Sequence, residues 1–199
     1  MKSFRFIIIF LFVLLIVAGG VVTAKAAFEN SGEVSGVNFS VGSADIKLLN
    51  DLSKGTEEEN LLDTKNGPSF ENIYSGWSED YMVKLYNKGS LKMALNSNSD
   101  YTAADDPAGL REYIFVEVFE WADTNSNGAI EPEEVSAIPI AKKTVLKWKT
   151  EGIDLGFINP LEVKGYVLRF SLSTIPSTKA GESALYKFVF NGTTDGVSQ

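Results

Sequence analysis

The chain has 199 residues, with 18 basic against 26 acidic side chains and neither histidine nor cysteine. The formal net charge of -8 argues against nucleic acid as a partner, because such binding needs a basic face. The missing residues exclude a zinc protease of the H-E-x-x-H kind, a Ser-His-Asp triad, a Cys-His dyad and any disulfide.

The amino terminus carries Lys2 and Arg5, an apolar run from Phe6 to Val22, and the small-x-small box Ala24-Lys25-Ala26. This order is that of a secretory signal peptide over residues 1–26, cleaved before Ala27 or Phe28. A retained anchor fits less well, because the run is at the short limit for a spanning helix and Gly19 and Gly20 interrupt it. Cleavage removes Lys2, Arg5 and Lys25 and no acidic residue, leaving 15 basic against 26 acidic side chains, a net charge of -11. The expected mature protein, residues 27–199, is therefore secreted, acidic, free of a stable membrane anchor and long enough for one buried core. Without disulfides its stability must come from that core, from a metal or from assembly.

Residues Phe28 to Gly36 are small, polar and flexible, so residues 27–37 form an arm available for β-strand addition. A strand is expected from Val37 to Leu48, and one short surface helix over Ser53 to Lys65. Short apolar or alternating runs separated by Gly, Pro, Asn and Ser then predict strands at Tyr81 to Tyr86, Leu91 to Leu95, Tyr113 to Trp121, Lys143 to Trp148, Val163 to Leu172 and Ala184 to Phe190. Asn96 to Leu110 reads as a long loop. In the run Val163 to Leu172, Tyr166, Leu168, Phe170 and Leu172 share one face while Arg169 and Ser171 share the other, the pattern of a half-buried strand. The spacing of these runs is that of an all-β sandwich.

The segment from Asp123 to Glu134 satisfies every fixed position of the calcium loop D-x-[DN]-x-[DN]-G-x5-E. Calcium is a hard cation that takes six to eight oxygens. The loop supplies them from Asp123, Asn125 and Asn127, the carbonyl of Ala129, Glu131 directly or through water, and both carboxylate oxygens of Glu134. Gly128 permits the sharp turn. A sensor EF-hand needs a helix on each side, yet the upstream flank reads as a strand and Pro139 stops any helix begun at Glu133. The expected Ca2+ is thus structural, a staple between strands. The other acidic clusters, Glu57-Glu58-Glu59 and Asp105-Asp106, read as solvated turns, so no catalytic residue is assigned and no enzymatic activity is expected. Two N-x-S/T sequons, at Asn38 and Asn191, mark candidate glycosylation sites.

Several short motifs resemble the TasA/camelysin family of exported matrix proteins. Ala26-Ala27-Phe28-Glu29-Asn30 followed by Phe39 and the run Gly42-Ser43-Ala44-Asp45-Ile46 is similar to that family's A-A-F-x-D/N … F-x-x-G-x-x-D-L opening. The Trp77 turn, and a strand ending Asn87-Lys88-Gly89-Ser90-Leu91, resemble its W-x-P-G-D turn and N-x-G-S-L strand end, with Ser78 and Glu79 replacing the turn's Pro and Gly. A late strand, Tyr186 to Phe190, is also similar.

The resemblance implies a jelly-roll-like antiparallel β-sandwich released by a dedicated signal peptidase. It further implies a structural subunit of extracellular fibres or biofilm matrix, in which the N-terminal segment of one subunit adds as a strand to the next. The partners implied are further copies of the chain and other matrix components. Two other functions fit the residues. A calcium-stabilised adhesin or carbohydrate-binding module would use Trp77, Trp121 or Trp148 to stack on sugars. A camelysin-type metallopeptidase would hold zinc by carboxylates alone, against that metal's preference for nitrogen and sulfur.

Overall fold

The computed structural model describes residues 32–34, 38–41 and 45–194. The chain divides into the units Met1–Ser31 and Gly32–Gln199, and every described residue belongs to the second. The expected signal peptide, its cleavage site and residues 27–31 and 35–37 of the expected arm lie outside the described residues.

The strands are β1 (Gly32–Val34), β2 (Asn38–Val41), β3 (Ile46–Leu49), β4 (Leu61–Leu62), β5 (Thr64–Asn66), β6 (Phe70–Ile73) and β7 (Ser78–Asn87). They continue with β8 (Met93–Asp100), β9 (Ile114–Trp121), β10 (Ala141–Thr144), β11 (Ile153–Ile158), β12 (Val163–Leu172) and β13 (Lys187–Thr193). One α-helix occurs among the described residues, α1 (Val145–Glu151). A six-stranded sheet has the order β10-β9-β12-β7-β3-β4 and a five-stranded sheet the order β11-β8-β13-β2-β5, while β1 and β6 form a separate pair. All pairings are antiparallel except β2 with β13, which is parallel. The chain is an all-β sandwich, and its early strand β2 lies beside its last strand as in a jelly roll.

Alternation dictates the interior. Leu168, Phe170 and Leu172 of β12, Val83 and Leu85 of β7 and Val116 and Val118 of β9 meet Met93, Leu95, Phe188 and Phe190 from the five-stranded sheet in one buried cluster. Phe170 and Phe188 join the two sheets edge to face, with centroids 5.8 Å apart, and Trp148 packs on Phe188 at 4.6 Å. Side chains of this size each contribute about 1.5–3 kcal/mol on burial. A second cluster lies on the outer face of the six-stranded sheet. There Phe119, Trp121 and Val167 are covered by Leu52, Met82, Ile130 and Val135, so β12 is buried on both faces at its middle.

Several expectations need correction. The strand expected over Val37 to Leu48 is two strands in different sheets, β2 and β3. Ser53 to Lys65 is not a surface helix: a single 3-10 turn at Glu58–Asn60 leads into β4 and β5. Asn60 is the reason, since its side chain is buried and bonds Asp51 N, Asp51 O and Gly55 O, tying the segment into a tight turn. The loop expected from Asn96 begins instead as β8, whose polar residues to Asp100 pair with β13. Lys143 to Trp148 is mostly helix. Thr144 Oγ1 accepts from Lys147 N at the start and Gly152, at φ 65, ends it, a cap at each end that outweighs the β-branched content. Asp106 is not solvated: at 1% exposed it accepts from Leu110 N, Arg111 N and the Arg111 guanidinium. Asn191 lies within β13 and donates to Asn96 Oδ1, which draws that sequon into the sheet. Strands β6 and β11 have no counterpart in the sequence reading.

Candidate metal centre

The loop expected to bind calcium leaves the sheet at the end of β9 and returns to it at once. Ala122 N donates to Glu134 O at 2.9 Å, Trp121 bridges Val135, and Ser136 N donates to Glu120 O at 2.9 Å. No helix flanks it: β9 precedes it and a 3-10 turn at Pro132–Glu134 closes it. The strand flank and the absence of a long downstream helix therefore stand as read from Pro139 and the β-branched run.

Within the loop the side-chain oxygens fold the backbone around themselves. Asp123 Oδ1 accepts from Asn127 N at 3.0 Å and its Oδ2 from Gly128 N at 2.9 Å. Asn125 Oδ1 accepts from Asn127 N, and Asn127 Oδ1 from Ala129 N at 2.7 Å. Asn127 Nδ2 donates to Glu131 Oε1 at 2.9 Å. Gly128 is required twice: its φ is +72°, and a Cβ there would lie 2.7 Å from Ser53 N.

Glu134, 5% exposed, is turned toward the start of the loop. Its Oε1 accepts from Thr124 N and Thr124 Oγ1, both at 2.8 Å, and its Oε2 from the Trp121 indole at 3.4 Å. The Thr124 hydroxyl is the main influence holding this carboxyl below its ordinary range, against burial, with help from the Thr124 amide. Burial also pushes the Asp123 carboxyl up, but hydrogen bonds from Lys84 and Gly128 outweigh it and hold the group low. Both acids are ionised near neutral pH.

Sequence reasoning missed Lys84. Its ammonium donates to Asp123 Oδ2 at 2.6 Å and to Leu52 O at 2.7 Å, and lies 4.9 Å from the Trp121 ring centroid. In the run Tyr81 to Tyr86 a lysine between Val83 and Leu85 reads as a residue pointing to solvent. It does face outward, but the Asp123 loop and Leu52 cover that face, which the local pattern does not carry. Lys84 pairs with Gly165 of β12, and Gly165 with Trp121 of β9, so the three stand in one row across the sheet.

The donor set suits calcium: hard oxygens from two or three carboxylates, two amides and a carbonyl, with the glycine where the chain turns. Among the described residues no group of three or more His, Cys, Asp or Glu side chains is arranged to hold a metal, so ligation here depends on Asn125, Asn127 and the Ala129 carbonyl. Asp123, Asn125, Asn127 and Glu131 form one connected set, whereas Glu134 is spent on Thr124 and Trp121. The chemistry fits, and binding requires Glu134 to share its oxygens between those donors and the ion. Open clefts of about 430 and 340 Å3 flank the base of the loop, the second lined by Lys54, Lys84, Asp123 and Thr124.

The three tryptophans lie mostly inside. Trp148 and Trp121 are 0% and 3% exposed, and Trp77 is half-buried edge-on against Phe70 at 4.8 Å. Two of the three aromatic faces considered for sugar stacking are thus covered.

No family model matches this chain, and no curated protein matches it. Among solved structures it is similar to the ASH/PapD-like domain 7 of human CEP192, at 8% identity over 77% of this chain and 88% of that one, with a TM-score of 0.27. A likeness at that score carries no argument.

Proposed function

We propose that this chain is an exported structural subunit that polymerises into extracellular fibres of a biofilm or surface matrix by exchange of its N-terminal strands. The reading rests first on the resemblance to the TasA/camelysin family, and the observation that best supports it is the setting of β2. Asn38–Val41 is inserted between β13, in parallel, and β5, antiparallel, and β1 just before it pairs with β6. A short segment near the start of the mature chain thus fills a slot in a sheet through main-chain bonds. The same slot accepts the same segment from a second copy, with equal hydrogen bonding and register. Residues 27–41 are the segment proposed to exchange.

In this reading the Asp123 loop is a calcium staple on the outer face of the six-stranded sheet. Asp123, Asn125, Asn127, the Ala129 carbonyl, Glu131 and Glu134 would hold the ion, whose part is to neutralise the loop's carboxylates and tie its two ends together. Export is proposed from the signal-peptide pattern, with a signal peptidase as the transient partner.

Negative-stain electron microscopy of the protein from Ala27 onward, and of a form lacking residues 27–41, tests the proposal. Filaments from the first and monomers from the second are expected. Undiminished filaments from the shortened form would contradict it.

A further inference from the structure

We propose that Lys84 is the resident counter-cation of the Asp123 loop and the residue that sets how weakly the loop binds calcium, an inference that rests on the calcium reading above. Lys84 is 8% exposed, and a lysine so far from water keeps its charge only beside a partner. That partner is Asp123, whose side chain is 1% exposed. No other ion pair described here is so dry on both sides; in the Arg111–Asp106 pair the arginine is 28% exposed.

The lysine is placed by the sheet and not by the loop. Its row with Gly165 and Trp121 fixes where its stem leaves β7, and the Leu52 carbonyl holds the ammonium from the other side. The loop cannot swing clear of it while Ala122 and Ser136 remain bonded to Glu134 and Glu120. Asp123 is the first ligand position of the motif. Its Oδ2 already receives Lys84 and Gly128 N, while Oδ1 receives only Asn127 N, so Oδ1 has the freer lone pair for an ion. An ion bound there carries two charges a few ångströms from a fixed third, and repulsion at that distance is substantial even at a high effective dielectric.

Lys84 therefore does two things. Without the ion it neutralises Asp123 and keeps the loop folded, and with the ion it lowers affinity. The expected affinity is in the weak class of extracellular calcium modules, about 0.1–1 mM.

Isothermal titration of the exported protein with calcium chloride decides this, comparing wild type with Lys84→Gln, Lys84→Met and Lys84→Arg. The neutral variants are expected to bind calcium at least about tenfold more tightly, and Lys84→Arg, which keeps the charge, to stay near the wild-type affinity. A role confined to packing would not separate Arg from Met in this way. Should Lys84→Gln fail to fold, Lys84→Met keeps a straight apolar stem against Trp121 and carries the same test. Calcium binding of equal strength in wild type and neutral variants overturns the role of Lys84 and leaves the calcium site standing. Absence of calcium binding in every protein overturns the calcium reading, and this inference with it.

Discussion

The two faces of β12 are held by different physics. Leu168, Phe170 and Leu172 point into the space between the sheets, where aromatic and aliphatic side chains from both sheets interlock. Val167, the residue just before Leu168, points outward into a smaller cluster closed by a loop whose own fold depends on Asp123, Glu134 and Lys84. The inner face is held mainly by apolar volume, with a few buried hydrogen bonds such as Tyr166 to Leu155 O. The outer face carries the ion pairs Lys84–Asp123 and Arg169–Asp80 and a set of side-chain-to-backbone hydrogen bonds, so it is the part of the molecule that ions and acid can reach.

Truncation inside the sandwich marks the inner extreme of that contrast. Phe188→Ala removes a ring packed between Trp148 and Phe170 and is expected to cost about 3–5 kcal/mol by urea unfolding. A loss below about 1 kcal/mol would mean the sheets are not locked through this residue. On the outer face, Asp123→Ala leaves Lys84 buried without its carboxylate, an expected cost of about 3 kcal/mol, the low end for breaking a buried pair. Adding Lys84→Met should recover much of that loss, and a double-mutant cycle measures the coupling. Strict additivity would show that the pair is not an energetic unit.

Acid should separate the faces without mutation. Asp123 and Glu134 are held below their ordinary values in the folded state. The stability they contribute is complete above their unfolded pKa values, near 4, and is lost as pH falls through the lower folded values. Trp121, which bonds Glu134, is thus expected to report loosening of the loop below about pH 4 ahead of global unfolding. A single coincident transition by fluorescence and far-UV circular dichroism would refute the separation. Chelation gives the smallest effect. At calcium near its dissociation constant the ion adds under about 1 kcal/mol, so removing it should lower the melting temperature by only about 1–4 °C, and no shift would count against a bound ion.

The inner face was the more legible in the sequence, because Ile114, Val116 and Val118 of β9 and Leu168, Phe170 and Leu172 of β12 recur at every second residue and all are buried. The turn at the Asp123 loop was equally plain, since Asp123, Asn125 and Asn127 are of the residue types that fold a backbone tightly around their own side chains, with Gly128 at the turn. What escaped were features decided by partners distant in the chain. Ser97 and Ser99 have loop composition, yet β8 is a strand because β11 and β13 offer hydrogen bonds on both sides. Lys84 reads as an exposed lysine until residues 39 positions later are folded over it. The switch of the chain from one sheet to the other between β2 and β3 leaves no mark in hydrophobic periodicity, since both sides of the switch are strands. Helix α1 was legible in principle through Thr144 and Gly152, whose capping signal was outweighed by the valine and tryptophan between them.

The central claim is that the N-terminal strands pass between copies, and the absence of native cysteine allows a direct test. Ser40 and Val189 are register partners in the parallel β2–β13 pair, so Ser40→Cys and Val189→Cys in one chain place two thiols across the proposed slot. Filaments of this variant are oxidised and run on a non-reducing denaturing gel. A ladder of covalent oligomers that collapses to monomer on reduction is the expected result, because each disulfide would join the strand of one subunit to the sheet of the next. Filaments that oxidise efficiently yet run only as monomers would show that every chain keeps its own β2, contradicting assembly by strand exchange.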